Sequence, residues 1–164
     1  MAEKTLETLF IDTLKDIYYA ERQILKALPK MERAAQSPML KDAFRGHRQE
    51  TEGQVERLQQ VFEMLGKRAQ AKTCPAIDGI LEEGAELIEE YGSSPAIDAA
   101  LAAAAQAVEH YEIARYGALC TWAGTLGHTD AVALLEATLA EEKNADEKLS
   151  TIAESANSTA MAAQ

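Results

Sequence analysis

The chain has 164 residues, 47% of them apolar and 26% charged, and carries a net charge of −11. That length is enough for one domain with a sizeable core. The acidic balance and the lack of any basic run exclude a nucleic-acid binder, which needs a cationic face to displace counterions, and an anionic membrane surface would repel the chain too; cations are drawn to any cleft instead.

The opening MAEKTLETLF has no basic stretch followed by an apolar one, so it does not read as a secretory signal. No apolar run approaches the roughly 20 residues that span a bilayer. Cys74 and Cys120 match no metal or redox spacing and read as reduced thiols, which predicts a cytoplasmic protein.

Four prolines and nine glycines, nearly all clustered, separate long segments rich in Ala, Leu, Glu and Lys, all good helix formers. The first segment runs from about Glu3 to Ala35, with Leu6, Leu9, Phe10, Leu14, Ile17 and Tyr18 opening an apolar stripe at three- and four-residue spacing. Pro29 is expected to kink or restart it. Ser37 then reads as an N-cap, with Pro38 at the first helical position. The second segment runs from Pro38 to about Leu65 and closes on Gly66. After a loop, Pro75 to Tyr91 reads as a shorter helix ended by Gly92, with the acids of EEGAELIEE on a solvated face. Ser94 and Pro95 repeat the start signal, and the next helix runs to Leu126 with Gly127 as its cap. The last helix starts near Thr129 and is expected to end about Ala153.

No segment alternates with the period of two that marks a strand. The expected fold is therefore all-α: four long helices in two hairpins, joined by a long crossover that carries a short extra helix. This is the ferritin-like version of the four-helix bundle. The expected division is a bundle over residues 1–153 and a flexible C-terminal tail over 154–164.

The apolar stripes contain acids. Glu21 interrupts Leu14, Ile17, Tyr18, Ile24 and Leu28. The second segment places His47, Glu50 and Gln54 between Phe44 and Leu58. The third long helix places Glu112 on its stripe and Glu109 at the edge, and the fourth places Glu142 there, with Asp146 one turn on. Gln36 lies 15 residues from Glu21 and 14 from Glu50, and Gly127 lies 15 from both Glu112 and Glu142. In each hairpin the acids thus sit at equal distance from the turn, about 22 Å along arms rising 1.5 Å per residue, near mid-height.

Glu21, Glu50, Glu109, Glu112 and Glu142 together carry five negative charges, and burying even one unpaired carboxylate costs several kcal/mol. No lysine or arginine shares their stripes at that height, and Arg115 points away from Glu112. Two divalent ions would bring four positive charges. A set of carboxylates with one imidazole suits iron or manganese better than zinc. Read singly, each acid is a half-exposed residue on a drifting stripe, and matched height in four helices argues against that. His47 reads equally as a ligand or as a core histidine bonded to a carboxylate. Asp146 reads as a ligand or as a surface ion pair with Lys143 or Lys148. Tyr18 and Tyr116 flank the acids and read as core residues with satisfied hydroxyls, or as partners for a bound molecule. Trp122 and Cys120 read as core, His110 points away from the acids, and His128 reads as solvated in the last turn.

The segments DIYYAERQILKALPKM, FRGHRQETEGQVERL, AAAAQAVEHYEIARYGAL and LLEATLAEEKNADEKL carry a resemblance to the YciF-like stress-response family of ferritin-like di-metal carboxylate proteins, over nearly the whole chain. The resemblance implies a ferritin-like fold, a di-iron or di-manganese centre and a homodimer. Glu109 and Glu112 resemble the paired third-helix acids of peroxide-handling relatives. Di-iron sites of this kind commonly use Glu-x-x-His on the second and fourth helices. Here the third residues after Glu50 and Glu142 are Gly53 and Ala145, neither a ligand, so His47 and Asp146 are the candidates to replace the missing histidines.

The expected function is a di-metal carboxylate protein in which Glu50 and Glu142 or Glu112 bridge two irons. It would oxidise iron or reduce peroxide in stress protection, with oxygen or peroxide as the small-molecule partner. The alternative is a structural or interaction bundle of the stress response whose carboxylate site has degenerated.

Overall fold

The computed structural model describes residues 3–163. It contains five helices: α1 (Leu6–Ala34), α2 (Pro38–Met64), α3 (Pro75–Tyr91), α4 (Ile97–Leu126) and α5 (Thr129–Ala162). There is no strand among the described residues.

Local chemistry sets most of the ends. Thr5 caps α1 reciprocally with Thr8, each side chain accepting from the other's backbone N–H at 3.2 and 2.8 Å. Ser37 caps α2 with Pro38 behind it. Gly127 ends α4 in the left-handed region at φ 82°, where a side chain would be strained. The α4 start differs from the expected Pro95. Ser94 accepts a bond from the Ala96 N–H at 3.0 Å, which holds Pro95 and Ala96 in a turn and delays the helix to Ile97. One turn into α4, Asp98 reaches across to the α1–α2 turn and accepts from the N–H groups of Gln36 and Ser37 at 2.7 and 2.8 Å.

Two further expectations need correction. Helix α1 runs unbroken through Pro29 to Ala34 rather than restarting there. Helix α5 continues to Ala162, through residues expected to fray after Ala153. Ala156 is buried against the bundle end, and the hydroxyls of Ser158 and Thr159 donate back to the carbonyls of Glu154 and Ser155 at 2.9 and 3.0 Å. Small, good helix formers with one buried contact are enough to prolong a helix that is already nucleated.

Helices α1 and α2 pack as one hairpin and α4 and α5 as the other; α1 also lies against α4, and α2 against α5. The crossover is pinned at three points. The Lys72 N–H donates to the Lys15 carbonyl at 3.1 Å, the Tyr19 hydroxyl donates to Asp78 at 2.9 Å, and Cys74 Sγ lies 3.0 Å from the Tyr111 hydroxyl. These contacts lay α3 along α1 and α4, where Ile77 is buried. The core includes Phe10, Leu14, Ile17, Phe62, Leu101 and Leu119, all without solvent exposure. No helix among the described residues is long and apolar enough to cross a membrane.

Candidate metal centre

Five polar side chains sit inside this core at mid-height. Glu21 on α1, His47 on α2, Glu109 and Glu112 on α4 and Glu142 on α5 are all buried. Each lies on a stripe whose neighbours are apolar, so packing the stripe carries the acid inward with it. His47, Glu109, Glu112 and Glu142 each offer a ligand atom within 4.8 Å of the others. Opposite ligands on one ion, at about 2.0–2.4 Å each, stand roughly 4–5 Å apart, so this spacing fits a cation.

The donor set passes a second test. Eight buried side-chain N or O atoms among the described residues have no hydrogen-bond partner, and six are carboxylate oxygens of Glu21, Glu109, Glu112 and Glu142. The seventh is His47 Nε2, which lies 3.1 Å from Glu109 Oε1 and 3.8 Å from Glu142 Oε2 but out of line for a hydrogen bond. Unpaired buried polar atoms are costly, and here they converge. The arrangement is compatible with a bound metal ion.

Electrostatics point the same way. Burial pushes the Glu112 carboxyl well above its ordinary value, and the charges of Glu21, Glu142 and Glu109 push it further. Burial and the neighbouring Glu142 do the same to Glu109. Glu21 is raised by burial and by Glu142, with partial relief from a hydrogen bond donated by the Tyr116 hydroxyl. Tyr116, itself fully buried, is held firmly protonated by that burial and by Glu21. Like charges packed together in a dry core must be neutralised by protons or by cations.

The remaining expected site residues lie outside the four-residue group. Glu50 is on its rim, with 30% of its side chain exposed, and lies 3.3 Å from His47 Nδ1. Asp146 faces the α4–α5 edge, where it lies 3.0 Å from His110 Nε2 and accepts from Gln106 Nε2 at 3.3 Å; neither Lys143 nor Lys148 pairs with it. His110 is exposed, and the acid it meets is Asp146. His128 is more engaged than expected: its ring stacks on Phe10 and its Nε2 lies 3.1 Å from Glu7. Tyr18 behaves as a core residue, with its hydroxyl accepting from Gln59.

A polar belt below the acids was not visible in the sequence. Arg57 on α2 makes a two-pronged contact with Glu141 on α5 at 2.6 and 2.8 Å and also donates to Thr138. Buried Gln54 donates to the same carboxylate at 3.0 Å. Burial alone would raise Glu141, but Arg57 and Gln54 outweigh it and hold the carboxyl below its ordinary value. This belt ties α2 to α5 and takes up the guanidinium nearest the site. The signal available was Gln54 on the apolar stripe with Arg57 three residues on; its partner on another helix could not be read from spacing.

Two antiparallel hairpins, a long crossover and buried carboxylates from α1, α4 and α5 with an α2 imidazole define a ferritin-like four-helix bundle protein. More particularly, the chain belongs to the family described as Domain of unknown function (DUF892), whose model matches residues 5–162. It is 47% identical over 154 residues to Protein YciF of Escherichia coli (strain K12), covering 93% of each chain. The crystal structure of the E. coli stress protein YciF superposes with a TM-score of 0.91 at 45% identity, over 95% of this chain and 99% of that one. YcfI of Rhodopseudomonas palustris, described as a candidate structural protein, gives a TM-score of 0.87 at 50% identity over 90% and 94%. A protein from Xanthomonas campestris pv. campestris shares the fold at 22% identity, with a TM-score of 0.72 over 92% of this chain and 93% of that one.

Proposed function

We propose that the chain is a stress-protection protein of the di-metal carboxylate type, which holds two iron or manganese ions between its hairpins and oxidises iron or reduces peroxide. One observation carries this reading: six unpaired carboxylate oxygens and one unpaired imidazole nitrogen are buried together. His47, Glu109, Glu112 and Glu142 would hold one ion. Glu21, which interacts with both Glu142 and Glu112, would hold the second and share those two acids with the first. Glu50 acts on His47. Its carboxylate lies 3.3 Å from Nδ1, and with the proton on Nδ1 it would accept from that nitrogen and leave the Nε2 lone pair facing the acids.

When bound, such ions supply one-electron redox chemistry and open positions for oxygen or peroxide. The chain's own residues do the rest. The carboxylates fix the site and balance its charge. Tyr116 holds a proton on Glu21's oxygen and sits where a proton can be passed to that carboxylate. The apolar layers around them exclude bulk water. A homodimer is carried over from the family resemblance, and light scattering on the purified chain tests it.

A second reading has its own support. Gly53 and Ala145 stand where Glu-x-x-His would place histidines, and YcfI is described as a candidate structural protein. In that case the acids persist protonated and the bundle serves as a structural element.

Metal analysis of protein purified without chelator separates the two. The di-metal reading expects about two equivalents of iron or manganese, lost in the double variant Glu112→Gln, Glu142→Gln while the helical circular dichroism persists. It also expects the ferrous-loaded wild type to consume peroxide. Metal retained by the double variant would remove these acids from the site, and metal-free, inert wild type would favour the structural reading.

A further inference from the structure

Beside the acids lies a cavity of about 100 Å³. His47, Glu50 and Glu109 form its polar end, and Ile24, Leu28, Val108 and Leu149 are among its hydrocarbon walls. In the chain without metal the polar end is not self-satisfied: His47 Nε2 and Glu109 Oε2 are buried without hydrogen-bond partners. The opposite rim carries the exposed residues Asp42, Gly46 and Lys148. A dry pocket with a few convergent polar groups at one end is the usual form of a small-molecule site.

The lining restricts what can enter. Glu50 at the polar end repels an anionic head, and on the rim the charges of Asp42 and Lys148 offset one another. A cationic head would lose its hydration among the aliphatic walls. The head must therefore be neutral and able to hydrogen-bond. The volume is about two-thirds of the roughly 150 Å³ cavity that takes benzene, so about four heavy atoms fit inside.

We infer that this cavity binds short, neutral alkyl hydroperoxides and the alcohols derived from them, with the alkyl group on Ile24, Leu28 and Leu149 and the oxygen end towards His47, Glu50 and Glu109. The binding stands on the cavity alone; the fate of the hydroperoxide rests on the di-metal reading. There two bound ferrous ions would supply the two electrons that break the O–O bond of ROOH, two protons would be taken up, and ROH and water would leave.

The test is a titration of the full chain, methyl-labelled for NMR, with 2-propanol as an unreactive probe. The site predicts saturable shifts at the methyls of Ile24, Leu28 and Leu149 with a midpoint in the millimolar range, which suits so small a ligand. Acetate, an anion of similar size, should bind at least tenfold more weakly. Ala105→Leu, which adds three carbons to the cavity wall, should weaken the alcohol at least tenfold. Gly46→Leu at the rim gives the same test should Ala105→Leu fold poorly, because a Cβ there meets nothing within 4 Å. Non-saturating shifts, equal binding of acetate, or a folded cavity variant with unchanged affinity would overturn the proposal. Metal content of the same sample keeps the two readings apart. Alcohol binding without metal upholds the cavity and counts against the di-metal reading, whereas metal without alcohol binding defeats the cavity alone.

Discussion

At the scale of the residue, the bond from Tyr116 to Glu21 joins α4 to α1 at the centre of the fold. Both groups are fully buried, and the phenol is the first of the hydrogen-bonding groups that ease Glu21. Tyr116→Phe keeps the ring and removes the donor, leaving a second Glu21 oxygen without a partner. The expected cost is about 1–3 kcal/mol. For a domain of this size that lowers Tm by roughly 2–10 °C, readable by differential scanning calorimetry. An unchanged Tm would mean that Glu21 finds another donor at no cost. Glu21, Glu109, Glu112 and Glu142 were legible in the sequence because each interrupts or borders an apolar stripe whose burial forces its own. Glu50 and Asp146 were not separable from them. Successive helical residues differ by about 100° in direction, so a residue one turn away on a stripe's edge can finish at the rim, as Glu50 does, or at the α4–α5 edge, as Asp146 does.

At the scale of the element, the ends of α1, α2 and α4 follow from chemistry within a few residues: a reciprocal threonine cap, Ser37 before Pro38, and Gly127 in the left-handed region. Gly127→Ala forces a Cβ into that region. It should cost about 1–2 kcal/mol, a Tm loss of roughly 2–7 °C, with no change in helical content. Stability equal to wild type would show that the turn relaxes without its glycine. The start of α4 and the end of α5 were misjudged because partners outside the local window act there. Ser94 holds the residues before α4 in a turn, and Ala156 finds a place against the bundle end.

At the scale of the whole molecule, the buried acids make stability depend on pH and, on the di-metal reading proposed above, on metal. Burial raises the carboxyls of Glu21, Glu109 and Glu112 above the ordinary value of 4.5, so in metal-stripped protein the fold binds these protons more tightly than the unfolded chain does. The stability that this brings is present below the ordinary carboxylate range and is lost as pH rises through the raised values. The Tm of stripped protein should therefore fall as pH rises above the ordinary carboxylate range, and manganese or ferrous ions should restore it at the upper end. A flat profile in stripped protein would reveal a neutralising partner other than a proton or a metal ion.

The amino-acid order by itself determined the helices, their pairing into two hairpins, the long crossover and the height at which the acids sit. These follow from a 3.6-residue period, from caps and breakers, and from counting along a rod of known rise. Only the tertiary structure decided which acids meet, that Glu50 lies beside His47 while Arg57 is taken by Glu141, and that a cavity opens beside them. Those outcomes depend on how four rods are rotated against one another, and a rotation of a few tens of degrees changes every partner while leaving each helix's own pattern intact.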